Sequence, residues 1–207
     1  TAATVLAWLK RAAHQAEAIN YHLLRHLPVT QVQLDEMWSF IARKHAWETD
    51  TAGESLPDAA DGRQWVWISF APEFRLMIAA VVGPRTLDTA KEIVAATKAR
   101  VTGIPAFFSD GFTCYLAALI TAFHIVTTCA RTGKRGRPRK PLWEPHPDLV
   151  YGQLVKQKKQ GKLLTLSTRV VLGAERLTHL GFTISTALVE RVNLTLRQAL
   201  APLTRKT

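Results

Sequence analysis

The fold is decided by one acidic, strand-like stretch, Val32-Gln33-Leu34-Asp35-Glu36-Met37-Trp38-Ser39-Phe40. Its apolar side chains fall mainly on alternate positions, which is the two-residue period of a β-strand. Carboxylates form strands poorly and are costly to bury, so the fold itself gives no reason for Asp35 and Glu36. A bound cation would supply the compensating charge, and the stretch therefore indicates a metal site.

Two later segments carry carboxylates that complement this stretch. Residues 104–111 form an apolar run with Asp110 near its end, and residues 189–198 have helical spacing and carry Glu190. Three carboxylates on separate elements are what a two-metal phosphoryl-transfer site requires. We therefore predict Asp35, Asp110 and Glu190 as ligands. Glu36 is expected to point to the opposite face of its strand and is a weaker candidate.

The last predicted helix carries two further polar residues beside Glu190. Glu190, Asn193 and Arg197 are spaced i, i+3 and i+7, so they line one stripe of the helix. Asn193 can hydrogen-bond a phosphate or an outer-shell water, and Arg197 can reach a phosphate of bound DNA. An ordinary solvated helix face is the alternative, because Glu–Arg pairs are common on helices.

The composition is that of a basic globular protein. The 207 residues are 47% apolar, with a net charge of +11 and an isoelectric point of about 10.1, which predicts a polyanionic partner. No apolar run reaches ~18 residues, so we expect no membrane span. Cys114 and Cys129 lack metal or disulfide spacing, and reduced thiols fit a cytoplasmic location. Because a helical pattern is already under way at Thr1, we expect a fragment of a longer chain.

The order of predicted elements is β-β-β-α-β-α-β, which predicts an α/β fold with a mixed five-stranded sheet and flanking helices. The first and fourth strands can lie side by side and parallel, which would bring Asp35 and Asp110 together at one crevice. The predicted strands are residues 31–43, 64–70, 74–82, 104–109 and 123–128. The predicted helices are residues 1–26, 86–101, 112–122 and 184–203.

Two segments fall outside this pattern. Residues 1–28 are predicted to be a helical DNA-binding remnant or linker, because residues 4–10 follow a pattern common in recognition helices; a packing or dimerisation helix is the alternative. The core, residues 29–207, is interrupted at about 130–180 by a basic insertion. We interpret the insertion as a basic loop plus a hairpin or extended arm, not as a separate core.

Three sequence blocks together resemble the catalytic blocks of the insertion-sequence-1 family of DDE transposases. They are Leu34-Asp35-Glu36-Met37-Trp38-Ser39-Phe40, Phe108-Ser109-Asp110-Gly111 and Val189-Glu190-Arg191-Val192-Asn193-Leu194-Thr195-Leu196-Arg197-Gln198. Residues 83–86 resemble a further segment of that family, whereas Val192 stands where its members usually carry His. The resemblance implies an RNase H-like core in which Asp35, Asp110 and Glu190 hold two Mg²⁺ or Mn²⁺ ions. Arg197 holds the place of an arginine that recurs in DDE enzymes.

The activity that this resemblance implies is DNA transposition. Such an enzyme nicks double-stranded DNA at transposon ends and joins the freed 3′-OH to target DNA. Because two ends must be paired, we expect a homodimer or a larger assembly on DNA, in the cytoplasm and associated with the nucleoid. Two alternatives stay open: an RNase H-like nuclease that cuts without joining, and an inactive, domesticated DNA-binding relative.

The basic insertion begins with a run that resembles an AT-hook, whose Arg-Gly-Arg-Pro core lies in a narrow A·T minor groove. The residues predicted to contact DNA there are Lys134, Arg135, Arg137, Arg139 and Lys140. A nonspecific loop that contacts phosphates is an equally good interpretation.

Overall fold

A computed structural model of the chain describes residues 1–39, 64–128, 141–159, 162–200 and 203. The helices within these ranges are α1 (Ala2–Leu23), α2 (Leu87–Lys98), α3 (Cys114–Ala122), α4 (Ala174–Leu180) and α5 (Ala187–Ala199). The strands are β1 (Gln31–Ser39), β2 (Gln64–Ala71), β3 (Leu76–Gly83), β4 (Ala106–Asp110), β5 (His124–Thr127), β6 (Leu142–Pro145), β7 (Val150–Lys159) and β8 (Lys162–Leu172). The protein is therefore a mixed α/β structure, as the element order predicts.

The main sheet has the strand order β3-β2-β1-β4-β7-β8. Strands β1, β2 and β3 form an antiparallel meander, β4 runs parallel to β1, and β7 runs parallel to β4. The predicted parallel pairing of the first and fourth strands is confirmed. The last pair between them is Leu34–Ser109, so β4 ends beside Asp35 while β1 continues to Ser39.

The predicted sheet size was wrong, because the main sheet has six strands and not five. The strand expected at residues 123–128 is β5, which pairs with β6 in a separate two-stranded sheet. The missing strands come from the predicted insertion, whose residues 150–172 form the antiparallel pair β7–β8. Strand β7 joins the sheet because its first half is apolar, and Val150 and Tyr151 are buried beside β4. Because the second half of β7 is basic, the sequence did not indicate that β7 belongs to the main sheet.

The two faces of the sheet pack against different helices. On one face Val32 and Leu34 of β1 belong to the core cluster that includes α2 and α3 residues such as Ile93 and Tyr115. On the other face, Ile68 and Phe70 of β2 pack against Val189 of α5. The part of β1 beside the end of β4 therefore lies between two helical layers.

Local chemistry fixes the helix ends. Thr86 caps α2 by accepting a hydrogen bond from the Thr89 amide, and Asp88 lies in the first turn. Helix α1 has no buried residue. The chain first joins the core after this helix, where the Leu27 amide donates to the Arg100 carbonyl at 2.9 Å.

Each helix of the described ranges is too short or too polar to span a bilayer. The AT-hook-like run at 134–140 lies outside the described residues.

Candidate metal centre

Three carboxylates converge where β4 ends beside the middle of β1. Oxygen atoms of Asp35, Glu36 and Asp110 all lie within 4.8 Å of one another. The parallel register places Asp35 and Asp110 side by side, as the sequence predicts. This group of three could hold a metal ion, because hard divalent cations prefer carboxylate oxygens at such spacing.

Glu36 was underestimated as a candidate. Its side chain does leave the strand on the α2–α3 face, where its Oε2 accepts a hydrogen bond from the Tyr115 hydroxyl at 3.0 Å. The Arg85 guanidinium holds its Oε1 through Nε at 2.8 Å and Nη2 at 2.5 Å. Glu36 still reaches the other carboxylates, because Asp110 lies at the strand end where the two faces of the sheet meet.

Arg85 is itself fixed by aromatic rings. Its guanidinium carbon lies 4.2 Å from the centre of the Phe112 ring and 5.0 Å from that of Trp65. Such stacking limits the positions that the guanidinium can adopt and directs it toward Glu36. Arg85 belongs to the Gly-Pro-Arg-Thr segment, so the sequence offered a signal for it, whereas nothing in the spacing pointed to Tyr115.

Asp35 points to the opposite face of the sheet, toward α5. Its Oδ2 accepts a hydrogen bond from Asn193 Nδ2 at 2.6 Å, and its Oδ1 accepts one from the Glu36 amide at 3.0 Å. Helix α5 is held in place because the Val189 amide donates to Gln33 Oε1 at 3.0 Å. Asn193 thus orients Asp35. The buried Oδ1 of Asn193 has no hydrogen-bond partner among the described residues. The contact from Asn193 to a phosphate or a water stays a prediction.

Burial and mutual repulsion hold protons on this group. Burial, the Asp110 carboxylate and the more distant Glu190 raise the pKa of Asp35 to about 6 from an ordinary 3.8. Burial and Asp110 raise the pKa of Glu36 to about 7 from 4.5, even though Arg85 opposes the shift. Crowded carboxylates with raised pKa values are what a cation site shows when its compensating charge is missing.

Glu190 lines the same cleft but stands outside the group of three. The cleft has a volume of about 710 Å³ and is lined in part by Asp35, Asp110, Glu190, Lys156 and Arg85. Glu190 Oε1 accepts a hydrogen bond from Thr186 Oγ1 at 2.6 Å and forms an ion pair with Lys156 on β7. The sequence pointed to Lys156 only as one of several lysines in the insertion.

Arg197 lies on the α5 side of the acidic group. A second, smaller pocket is lined in part by Asp35, Glu190, Asn193 and Arg197, as the predicted stripe requires. Arg197 Nη2 donates to the Trp38 carbonyl at 3.3 Å. The other predicted DNA contacts, Lys134, Arg135, Arg137, Arg139 and Lys140, lie outside the described residues. No protein-family model, curated protein or solved structure matches the chain.

Proposed function

We propose that this chain is the catalytic core of a DDE transposase with an RNase H-like fold. In this proposal it nicks DNA at transposon ends and transfers the freed 3′-OH to target DNA. The observation that carries the proposal is the convergence of Asp35 and Asp110 on adjacent parallel strands, with Glu190 in the same cleft. The three residues come from the three sequence blocks that resemble that family.

The surroundings of the cleft agree with a DNA substrate. The chain carries a net charge of +11, while three of its acidic residues gather beside the end of β4. Lys156 and Arg85 line the cleft and Arg197 lines the adjoining pocket, so cations flank the carboxylates on several sides. A phosphodiester can be held by these cations only if the carboxylates are neutralised, which again requires a bound metal ion.

The residues of the site would have different roles in the reaction. Asp35, Asp110 and Glu190 would hold two Mg²⁺ or Mn²⁺ ions, with Glu36 as a further ligand or as the residue that fixes Arg85. When bound, such ions supply an activated attacking oxygen and stabilise the leaving oxygen of an in-line displacement. Asn193 orients Asp35, and Arg197 would contact a phosphate of the substrate.

The test is a nicking and strand-transfer assay on Asp35→Asn and Asp110→Asn. Each amide keeps the shape of the side chain but removes a charged ligand, so both reactions should fall at least a hundredfold while DNA binding persists. Asp88→Asn is the matched control, because the Asp88 side chain, in the first turn of α2, is 94% exposed and does not line the cleft. Cleavage that survives in both variants overturns the proposal.

One observation favours a second candidate, an inactive DNA-binding relative. The ion pair between Lys156 and Glu190 places an ammonium where a metal ligand should be open. Titration with Mn²⁺ distinguishes the transposase from the inactive relative, because in an active enzyme the Lys156–Glu190 ion pair breaks and Glu190 binds the ion. Failure of wild-type protein to bind Mn²⁺, with DNA binding intact, favours the inactive relative. If the protein cuts DNA but does not join pre-cleaved ends to target DNA, the result favours a simple nuclease.

A further inference from the structure

Arg85 connects the candidate metal centre to the open space of the cleft. It lies between β3 and α2, and two of its hydrogen bonds go to one atom, Glu36 Oε1, from Nε at 2.8 Å and from Nη2 at 2.5 Å. The Glu36 side chain is 2% exposed, and its other oxygen accepts a hydrogen bond from the Tyr115 hydroxyl. One edge of the guanidinium is therefore fixed by a buried acceptor that is itself held in place.

The other edge of the Arg85 guanidinium keeps its hydrogen-bond donors. A guanidinium carries five N–H bonds in one plane, and Glu36 takes two of them. Nη1 has no hydrogen-bond partner among the residues that the structure describes. The Phe112 and Trp65 rings lie against the guanidinium and restrict its rotation. Because the Arg85 side chain is 39% exposed and lines the cleft, its remaining donors border that space in one orientation.

A guanidinium edge that is fixed in this way fits a group with two oxygen atoms in one plane. Arginine binds carboxylates and phosphates through two parallel hydrogen bonds, and it stays charged at every physiological pH. Of these two groups, the phosphodiester is the one on which ions held by Asp35, Asp110 and Glu190 would act. The choice of a DNA phosphate as the ligand therefore rests on the proposed function.

We propose that Arg85 is a substrate-contact residue, whose Nη1–Nη2 edge binds the non-bridging oxygen atoms of one DNA phosphate while its Nε–Nη2 edge stays on Glu36. A carboxylate oxygen of Glu36 lies within 4.8 Å of oxygen atoms of Asp35 and Asp110. By binding Glu36 and the phosphate together, Arg85 sets the distance between the DNA strand and the acidic group. The strand is thereby placed in register with the ions that this group would hold.

The test measures how the affinity of the whole chain for a fluorescently labelled DNA duplex falls with salt concentration, with Ca²⁺ as the divalent cation. Each phosphate that a charged side chain binds contributes about 0.9 to the slope of log affinity against log salt. Arg85→Gln should therefore reduce the slope by about 0.9 and weaken binding about fivefold or more. Arg85→Lys keeps the charge and should restore the slope, while its affinity stays below that of wild type because an ammonium has no second edge.

Arg100→Gln is the matched control, because Arg100 follows the opposite end of α2, donates to the Ile78 carbonyl at 2.9 Å and does not line the cleft. A slope that falls in Arg85→Gln, returns in Arg85→Lys and is unchanged in Arg100→Gln supports the contact. An unchanged slope in Arg85→Gln overturns it, because Arg85 would then serve Glu36 alone. An equal fall in Arg100→Gln, or a fall that Arg85→Lys does not restore, also overturns it. Because binding is measured and not cleavage, this contact and the proposed reaction can fail separately.

Discussion

Asp35 and Glu36 are neighbours on β1 whose side chains leave opposite faces of the sheet, yet both carboxylates reach Asp110. In the middle of a sheet the backbone layer would separate them. Here this barrier is open on one side, because the neighbouring strand β4 stops at Asp110 while β1 continues to Ser39. The alternation of side chains correctly gave the direction of Glu36 but could not reveal that the strand edge lies so close.

We expect Glu36→Gln to weaken Mn²⁺ binding about tenfold or more. The amide preserves the hydrogen bond from Tyr115 but removes one of three clustered charges, and it also releases Arg85. Isothermal titration with Mn²⁺ measures the change. Glu175→Gln, at an exposed position in the first turn of α4, is the control. Identical affinity in Glu36→Gln and wild type would exclude Glu36 from the metal site.

The raised pKa values make metal-free stability depend on pH. With pKa values of about 6 and 7, Asp35 and Glu36 keep protons in the folded state that the unfolded chain has released. Between about pH 4 and 7 the folded state binds more protons than the unfolded state. The free energy of unfolding of the metal-free protein therefore falls as the pH rises through this range. Asp35→Asn should therefore gain stability over wild type at pH 8 and not at pH 4.

Urea unfolding in EDTA at the two pH values measures that difference. Saturating Mn²⁺ should stabilise wild type at pH 8, because the ion binds only the folded site, and should leave Asp35→Asn nearly unchanged. An advantage of Asp35→Asn that is as large at pH 4 as at pH 8 would contradict the assigned charge repulsion.

At the scale of elements, the parallel pair β1–β4 was predictable and its neighbour β7 was not. Residues 104–111 are short, apolar and follow a helix, which is how a parallel strand appears in sequence. Residues 150–159 begin apolar and end in lysines, because only the first half of β7 is covered by β4. The rest extends past the end of β4 toward the cleft, where Lys156 meets Glu190.

Gly152 of β7 tests how tightly this pairing is packed. A Cβ there would lie 2.8 Å from the Ile184 side chain and 3.1 Å from Phe108. Gly152→Ala should lower the free energy of unfolding by about 1–3 kcal/mol, the usual cost of overpacking. Urea denaturation measures it. Gly111→Ala is the control, because a Cβ added at Gly111 would meet no atom of the described residues within 4 Å and should be tolerated. Equal urea midpoints for Gly152→Ala and Gly111→Ala would mean that the Ile184 side chain can move away from residue 152 without loss of stability.

At the scale of the whole molecule, the core does not include its first helix. The apolar spacing of residues 1–26 correctly predicted α1, but spacing cannot show what a helical face packs against. Its large side chains, among them Trp8 and Leu9, are exposed. The core begins instead at Leu27, which pairs with Val101, and at buried Val29.

Removal of residues 1–23 should therefore leave the core folded. We expect its midpoint of thermal unfolding to stay within about 2 °C of the full chain, because no buried contact is lost. Removal of residues 1–30 is the contrasting truncation. It deletes Leu27 and Val29 and should lower the midpoint by about 5 °C or more. Differential scanning calorimetry on both proteins decides, and a large drop in the shorter truncation would place α1 within the cooperative unit.

The long sequence separation between the acidic residues has a consequence during synthesis. Asp35, Asp110 and Glu190 are supplied by β1, β4 and α5, and Asn193, which orients Asp35, also belongs to α5. A nascent chain still on the ribosome with only its first 180 residues emerged has its first two acids but neither Glu190 nor the amide beside Asp35. If the proposed reaction is correct, a partly translated copy is harmless to the chromosome, and only a finished polypeptide can break a phosphodiester.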